Sequence, residues 1–320
     1  CSMLHALLKG YARLAIRICC RKIVINRPDC LQQEGPLLLA ANHPNSFLDG
    51  IIITTLFDAP VYSLARGDAF RNPRVNRILR WLHLLPVYRT SEGTENLAHN
   101  YSTFAECHRV FREKGVVLIF SEAGSLNEWR LRPLRKGTAR LALSALQDGI
   151  PLQVLPLGFN YSPFRLFGKN VWLNFGTPLD LAAVQSEATD GRQLLSFNQQ
   201  LEAQLRKLVW EIDEQDRAGK KSRLTVPVPA AKKALLALPA LAGLLLHLPL
   251  YLPVRAAAGR WFNNDHYDSV VNGLLLLAYP LYLLLLFALA ATFAGLLPAL
   301  AVLAAAPFCA WALVQVKPQL

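Results

Sequence analysis

The sequence predicts an α/β fold, a mostly parallel sheet flanked by helices, with an N-terminal amphipathic helix before it and a C-terminal α-helical membrane-embedded tail after it. Three observations in the 320 residues lead there. Short continuous apolar runs alternate with helical stretches, as buried parallel strands and their crossover helices do. Charge is unevenly placed, because residues 223–320 hold only six basic and two acidic side chains. With 53% hydrophobic and 18% charged residues and a mean hydropathy of +0.26, the chain has more apolar surface than a soluble core consumes. The same composition excludes a disordered chain. Three regions follow: residues 1–28 as a basic amphipathic helix, 29–222 as the α/β domain, and 223–320 as a hydrophobic membrane-anchoring region. The boundary is expected in the polar, proline-containing stretch 213–229.

In order along the chain, Lys9, Arg13, Arg17 and Arg21 recur every fourth residue, which places four cations on one helical stripe, with Leu4, Leu7, Leu8, Leu14 and Ile18 on other faces. Such a helix suits an anionic membrane surface. Gly35-Pro36 then gives a turn, and residues 37–41 form an apolar run that predicts a buried strand. It ends in Asn42-His43-Pro44, where Pro44 keeps His43 out of the helical region. Ser46 is expected to cap a helix through Phe57. Further strands are expected at 61–65, 84–89, 116–122 and 151–158, and further helices at 72–82, 94–114 and 137–147. Polar residues at the ends of these strands stand at the carboxyl edge of the sheet, where open α/β folds place ligands.

The tail offers apolar segments at 234–254, 270–292 and 293–316. Each of the last two can cross a hydrocarbon core that needs about 20 residues, and their close spacing predicts a tight hairpin. The first contains Pro239, Pro249, Pro253 and His247 and is expected to be re-entrant or in-plane. Lys220, Lys221, Arg223, Lys232, Lys233 and Lys317 then fall on the cytoplasmic side. Residues 264–269 interrupt the tail and read either as a polar lid near the interface or, by preference, as a solvated loop. The six cysteines contain no C-x-x-C pair, and no histidines stand at ligand spacing, so neither a metal site nor a disulfide framework is expected. No secretory signal is evident, and a cytosol-facing domain fits. The net charge of +12 raises nucleic-acid binding, but no such motif is present and the cations suit a membrane equally.

Four ordered blocks between Gly35 and Pro178 resemble the glycerolipid acyltransferase family, which includes glycerol-3-phosphate and lysophosphatidate acyltransferases. In the first, N-H-P-N-S-F-L-D at 42–49, the resemblance implies His43 as general base and Asp49 as the carboxylate that fixes its tautomer, with Asn42 beside them as a substrate-binding residue. Five residues separate His43 from Asp49, where four are common, a length that resembles the glycerol-3-phosphate branch. Ser46 and Asp49 also make an S-x-x-D cap pattern, and the two roles are compatible. The second block, L-P-V-Y-R, offers Arg89 to the acceptor's phosphate, which a guanidinium fork suits. The third, I-F-S-E-A-G-S, resembles F-P-E-G-T with Ser121 and Ala123 substituted. It brings Gly124 and Ser125 to the substrate and Glu122 either to the acceptor's hydroxyls or to brace the site, and the basic stretch after it adds Arg135 as a second phosphate-binding residue. The fourth, I-P-L-Q-V-L-P-L-G, looks like the family's apolar strand near the acyl chain. The resemblance implies a membrane-bound enzyme of phospholipid biosynthesis with its catalytic domain on the cytoplasmic face. It moves a fatty acyl group from a thioester (acyl-CoA or acyl-ACP as cosubstrate, no bound cofactor) to a phosphorylated glycerol acceptor. Expected partners are membrane lipids, donor and acceptor, and no nucleic acid.

Overall fold

The computed structural model describes residues 3–88, 99–262 and 264–320. Among them, seven strands form one sheet: β1 (Lys22–Ile25), β2 (Leu37–Ala41), β3 (Val61–Arg66), β4 (Leu84–Val87), β5 (Val116–Phe120), β6 (Gln153–Tyr161) and β7 (Asn170–Phe175), in the order β1-β7-β6-β2-β5-β3-β4. Every neighbouring pair is parallel except β6 with β7. β2 is central, and its five residues alternate between faces. Leu38 and Ala40 pack beneath α4 (His99–Arg112), α5 (Gly137–Gln147) and α7 (Asp190–Leu208), while Leu37, Leu39 and Ala41 pack against α2 (Ser46–Leu56). Both faces are covered, which is why the strand reads as an unbroken apolar run.

Two strands were not expected. β1 lies within the segment assigned to the N-terminal helix, so the sheet domain begins at Lys22 rather than at residue 29. It is a four-residue edge strand, K-I-V-I, too short to announce itself. β7 returns antiparallel after β6 with no crossover helix, which breaks the alternation that revealed the others. The stretch 213–229 is not a free linker either. It contains α8 (Arg217–Leu224), whose Leu224 is fully buried with Trp172 and Ile212.

α1 (Met3–Cys19) is the expected helix, but its basic stripe is divided between the protein and the outside. Lys9 and Arg13 turn toward the protein, where Lys9 Nζ donates to the Asp58 carbonyl and Arg13 to Thr55 O and the Asp58 carboxylate. Unpaired carbonyls at the end of α2 attract those cations. Leu4, Leu7, Leu8 and Leu14 are exposed, as is Arg17 of the basic stripe, while Ile16 is buried. Arg21, beyond the helix, is buried and donates to Val314 O and Lys317 O.

The tail folds as α9 (Ala230–Trp261), α10 (Tyr267–Ala294) and α11 (Leu296–Val316), each long and apolar enough to cross a membrane. Gly295, at a φ of 88°, alone separates α10 from α11. That conformation is open to glycine at little cost and makes the turn of the expected hairpin. Both feet of the hairpin rest on the sheet domain, α10 through Asp268 and α11 through its Arg21 contacts. α9 is one continuous helix despite its prolines. Lys232 near its start reaches Gln315 at one foot, and Ala258 near its end packs with Val271 at the other. Between these ends Gly243 packs on the Cys309 backbone and the Leu246 carbonyl accepts the Tyr282 hydroxyl, so α9 lies against both arms of the hairpin without the break that a re-entrant segment needs.

Candidate active site

β2 stops at Ala41, and the chain turns through Pro44 into α2, so His43 and Asp49 are brought together across one loop and one helical turn. His43 Nδ1 lies 2.9 Å from Asp49 Oδ2. The five-residue spacing therefore preserves a direct contact. Asp49 is fully buried, and its other bonds hold it still: Oδ2 accepts the Asn45 N–H at 2.9 Å and Oδ1 accepts the Tyr161 hydroxyl at 2.6 Å. Burial, with the Asp49 carboxylate beside it, raises the Tyr161 phenol well above its ordinary range, so it remains a donor. A carboxylate accepting from Nδ1–H fixes the imidazole tautomer with Nε2 as its free lone pair. Among the described residues Nε2 has no hydrogen-bond partner. The ring stacks on Phe120, with centroids 3.7 Å apart, which sets its plane.

The helix cap differs from expectation. Asn45, not Ser46, is the N-cap residue, and the Asp49 carboxylate reaches back to its N–H, so one side chain serves both cap and histidine. Ser46 sits at a φ of 49°, which is costly for a residue with a side chain. It is held there by its N–H donating to Ser125 Oγ at 2.6 Å and its hydroxyl meeting His266 Nδ1 at 2.9 Å. Ala123, where the resembling motif has glycine, is likewise at a positive φ of 53°.

Asn42 and Glu122, both expected at the substrate, spend their polar atoms on the protein, which for Glu122 is the bracing role also open to it. Asn42 uses its whole amide on Phe159, donating to its carbonyl and accepting its N–H, and so locks β2 to β6. Glu122 is buried; it accepts the His43 N–H at 2.8 Å through one oxygen and the Arg132 N–H at 2.8 Å through the other, and pairs with the Arg132 guanidinium. Polar residues at a strand end look alike in sequence whether they face a ligand or a neighbouring backbone. Gly124, Ser125 and Arg135 do line the cavity that His43 faces, whereas Arg89 lies outside the described residues. That cavity measures about 1930 Å³. Its polar wall comes from His43, Ser121, Gly124, Arg135, Lys136 and Arg140, and its apolar wall from Leu8 of α1, Trp81 of α3 (Pro73–Trp81), Phe104 and Leu276 of α10.

The sequence did not reveal the roles of Tyr161, Asn45 or Arg132, and of the two readings of 264–269 the preferred one differs from the structure. Far from being a solvated loop, that segment places His266 on the cavity wall, Asp265 on the Asn127 N–H, and Asp268 and Ser269 against Asn45. Its density of polar residues between two apolar helices was the available signal.

Compared with known proteins, residues 22–160 match the family model described as Acyltransferase. The match starts at β1 and ends within β6, so it contains the His43, Asp49 and Glu122 positions and excludes the tail. An uncharacterized acyltransferase of Schizosaccharomyces pombe is 29% identical over 147 residues, 45% of this chain and 20% of that protein. The chain thus spans about a fifth of the length of the curated relative it matches. A crystal structure of the 1-acyl-sn-glycerophosphate (LPA) acyltransferase PlsC from Thermotoga maritima aligns at 13% identity and a TM-score of 0.44, over 64% of this chain and 79% of that one.

Proposed function

We propose that this chain, whose residues 22–160 form a domain of the acyltransferase family, transfers a fatty acyl group from a thioester to a hydroxyl of glycerol 3-phosphate or a lysophosphatidate-type acceptor at a membrane. The observation that carries this reading is the His43–Asp49 pair, fixed on every side except the one facing a large cavity with a basic polar wall and an apolar one.

The acceptor's hydroxyl gives its proton to His43 Nε2 as its oxygen bonds to the thioester carbonyl carbon. The carbon–sulfur bond then breaks, and the imidazolium returns the proton to the departing thiolate. Asp49 stabilises the imidazolium between these steps. No acyl-enzyme is needed, since no G-x-S-x-G elbow is present. Arg135, with Lys136 and Arg140 on the same wall, supplies positive charge for the acceptor's phosphate. Arg89 joins them on the resemblance of its segment. The donor is acyl-CoA or acyl-ACP, and the apolar wall takes its chain. The sheet domain works from the cytoplasmic face, and the tail and the leucines of α1 hold it to lipid. The five-residue His43–Asp49 spacing favours glycerol 3-phosphate as acceptor.

The test is transfer from one long-chain thioester with glycerol 3-phosphate and lysophosphatidate offered separately, by wild type and His43→Ala in matched membranes. Loss of a general base is expected to lower kcat on the order of 10²–10⁴-fold. Undiminished turnover in the variant would sink the assignment, and a folded wild type inactive on every acceptor would point to lipid binding without catalysis.

A further inference from the structure

The first turn of α10 carries a buried ion pair that membrane anchoring does not require. Asp268 and Lys169 are each almost fully buried and paired. Such a pair seldom improves on apolar residues of the same size, so its use is specificity of arrangement. Lys169 also donates to the Phe164 carbonyl and Asp268 accepts from the Asn272 amide, while the remaining contacts lead to the His43–Asp49 loop. Asp268 Oδ2 also accepts the Asn45 side-chain amide at 2.8 Å. The Ser269 hydroxyl donates to the Asn45 carbonyl at 2.6 Å and accepts the Leu48 N–H at 3.3 Å. Asn45 is thereby held at side chain and carbonyl by α10, while its own N–H holds Asp49. An unbroken chain of polar contacts runs from Lys169 through Asp268, Asn45 and Asp49 to His43.

We propose that Asp268 and Ser269 are positioning residues for the His43–Asp49 pair, so that the hairpin builds the active site as well as anchoring it. The proposal rests on the acyl-transfer reading of that pair. A Michaelis complex needs Asp49 in register with Nδ1, and displacement of Asn45 removes one of the bonds that sets this register.

The full-length protein in phospholipid vesicles is compared with Lys169→Met/Asp268→Leu, which removes both charges together and avoids a stranded ion, with Ser269→Ala, and with Ser269→Thr, which keeps the hydroxyl. For the first two, kcat is expected to fall about tenfold or more while KM for the thioester stays within about twofold, the pattern of a lost transition-state interaction. Ser269→Thr is expected to recover most of the rate. A second measurement is independent of turnover: melting of Asn45→Ala, Ser269→Ala and the double variant is expected to be non-additive. Full kcat in the charge-free variant, or additive melting, overturns the proposal. A wild type that acylates no acceptor overturns the acyl-transfer reading and the positioning role with it, even where the melting of Asn45 and Ser269 is coupled.

Discussion

Asp49 depends on Tyr161 at a sequence distance of 112 residues, and their 2.6 Å hydrogen bond gives a sharp test at the scale of one atom. Tyr161→Phe keeps the ring in its buried site and removes only the hydroxyl. A hydrogen bond to a charged group is worth about 1.5–3 kcal/mol, so kcat is expected to fall about tenfold or more, with the melting temperature lowered and the thioester KM unchanged. Steady-state kinetics on the two proteins checks this; equal kcat values would mean that Asp49 needs no second anchor. His43 and Asp49 were legible because their relation is local, a strand end followed by one helical turn. Asn42 was legible as important but not in role, and Glu122 only as one of two roles, since the partners that use them up, Phe159 and Arg132, are set by neighbouring strands and loops. Tyr161 was invisible for the same reason: only pairing of β6 beside β2 brings it to Asp49.

At the scale of elements, β2 and β5 were read to the residue or nearly so, because strands buried on both faces have no polar interruptions. Edge strand β1 and the antiparallel β7 lacked that contrast. The periodicity of α1 revealed the helix but not which face turns inward, because the carbonyls ending α2 outbid lipid for Lys9 and Arg13. α1 also lays His5 against His83, with ring centroids 4.6 Å apart. Burial pushes His83 down from 6.5 to about 4, helped by the nearby His5 and Lys9. Between those values the unfolded chain binds a proton that the folded one refuses, so this histidine's contribution to stability is constant above about 6.5 and is lost as pH falls toward 4. His83 has a positive φ of 61°, which asparagine tolerates. Melting of His83→Asn is expected to depend less on pH over that window than melting of wild type; parallel curves would rule out this histidine as the source.

For the whole molecule, the hairpin is the feature that decides how the protein meets lipid. No charged residue occurs between Asp268 and Lys317, and its tip exposes Phe293 at 87% and Leu297 at 81%. The 21 residues of α11 extend about 31 Å, close to the thickness of a hydrocarbon core. In vesicles, with the native cysteines replaced, Phe293→Cys is expected to resist a membrane-impermeant maleimide added on the side of the sheet domain, while Leu195→Cys on α7 reacts; equal labelling would place the hairpin in water. The foot of that hairpin also orders events in the life of the chain. Asn45 waits for a partner made 223 residues later, and Arg21 for carbonyls later still. A nascent chain can assemble much of its sheet while the histidine loop lacks its last supports. The loop that carries His43 is therefore fully braced only after α10 and α11 have been made and have docked on the sheet, so its geometry reports on whether the hairpin is in place.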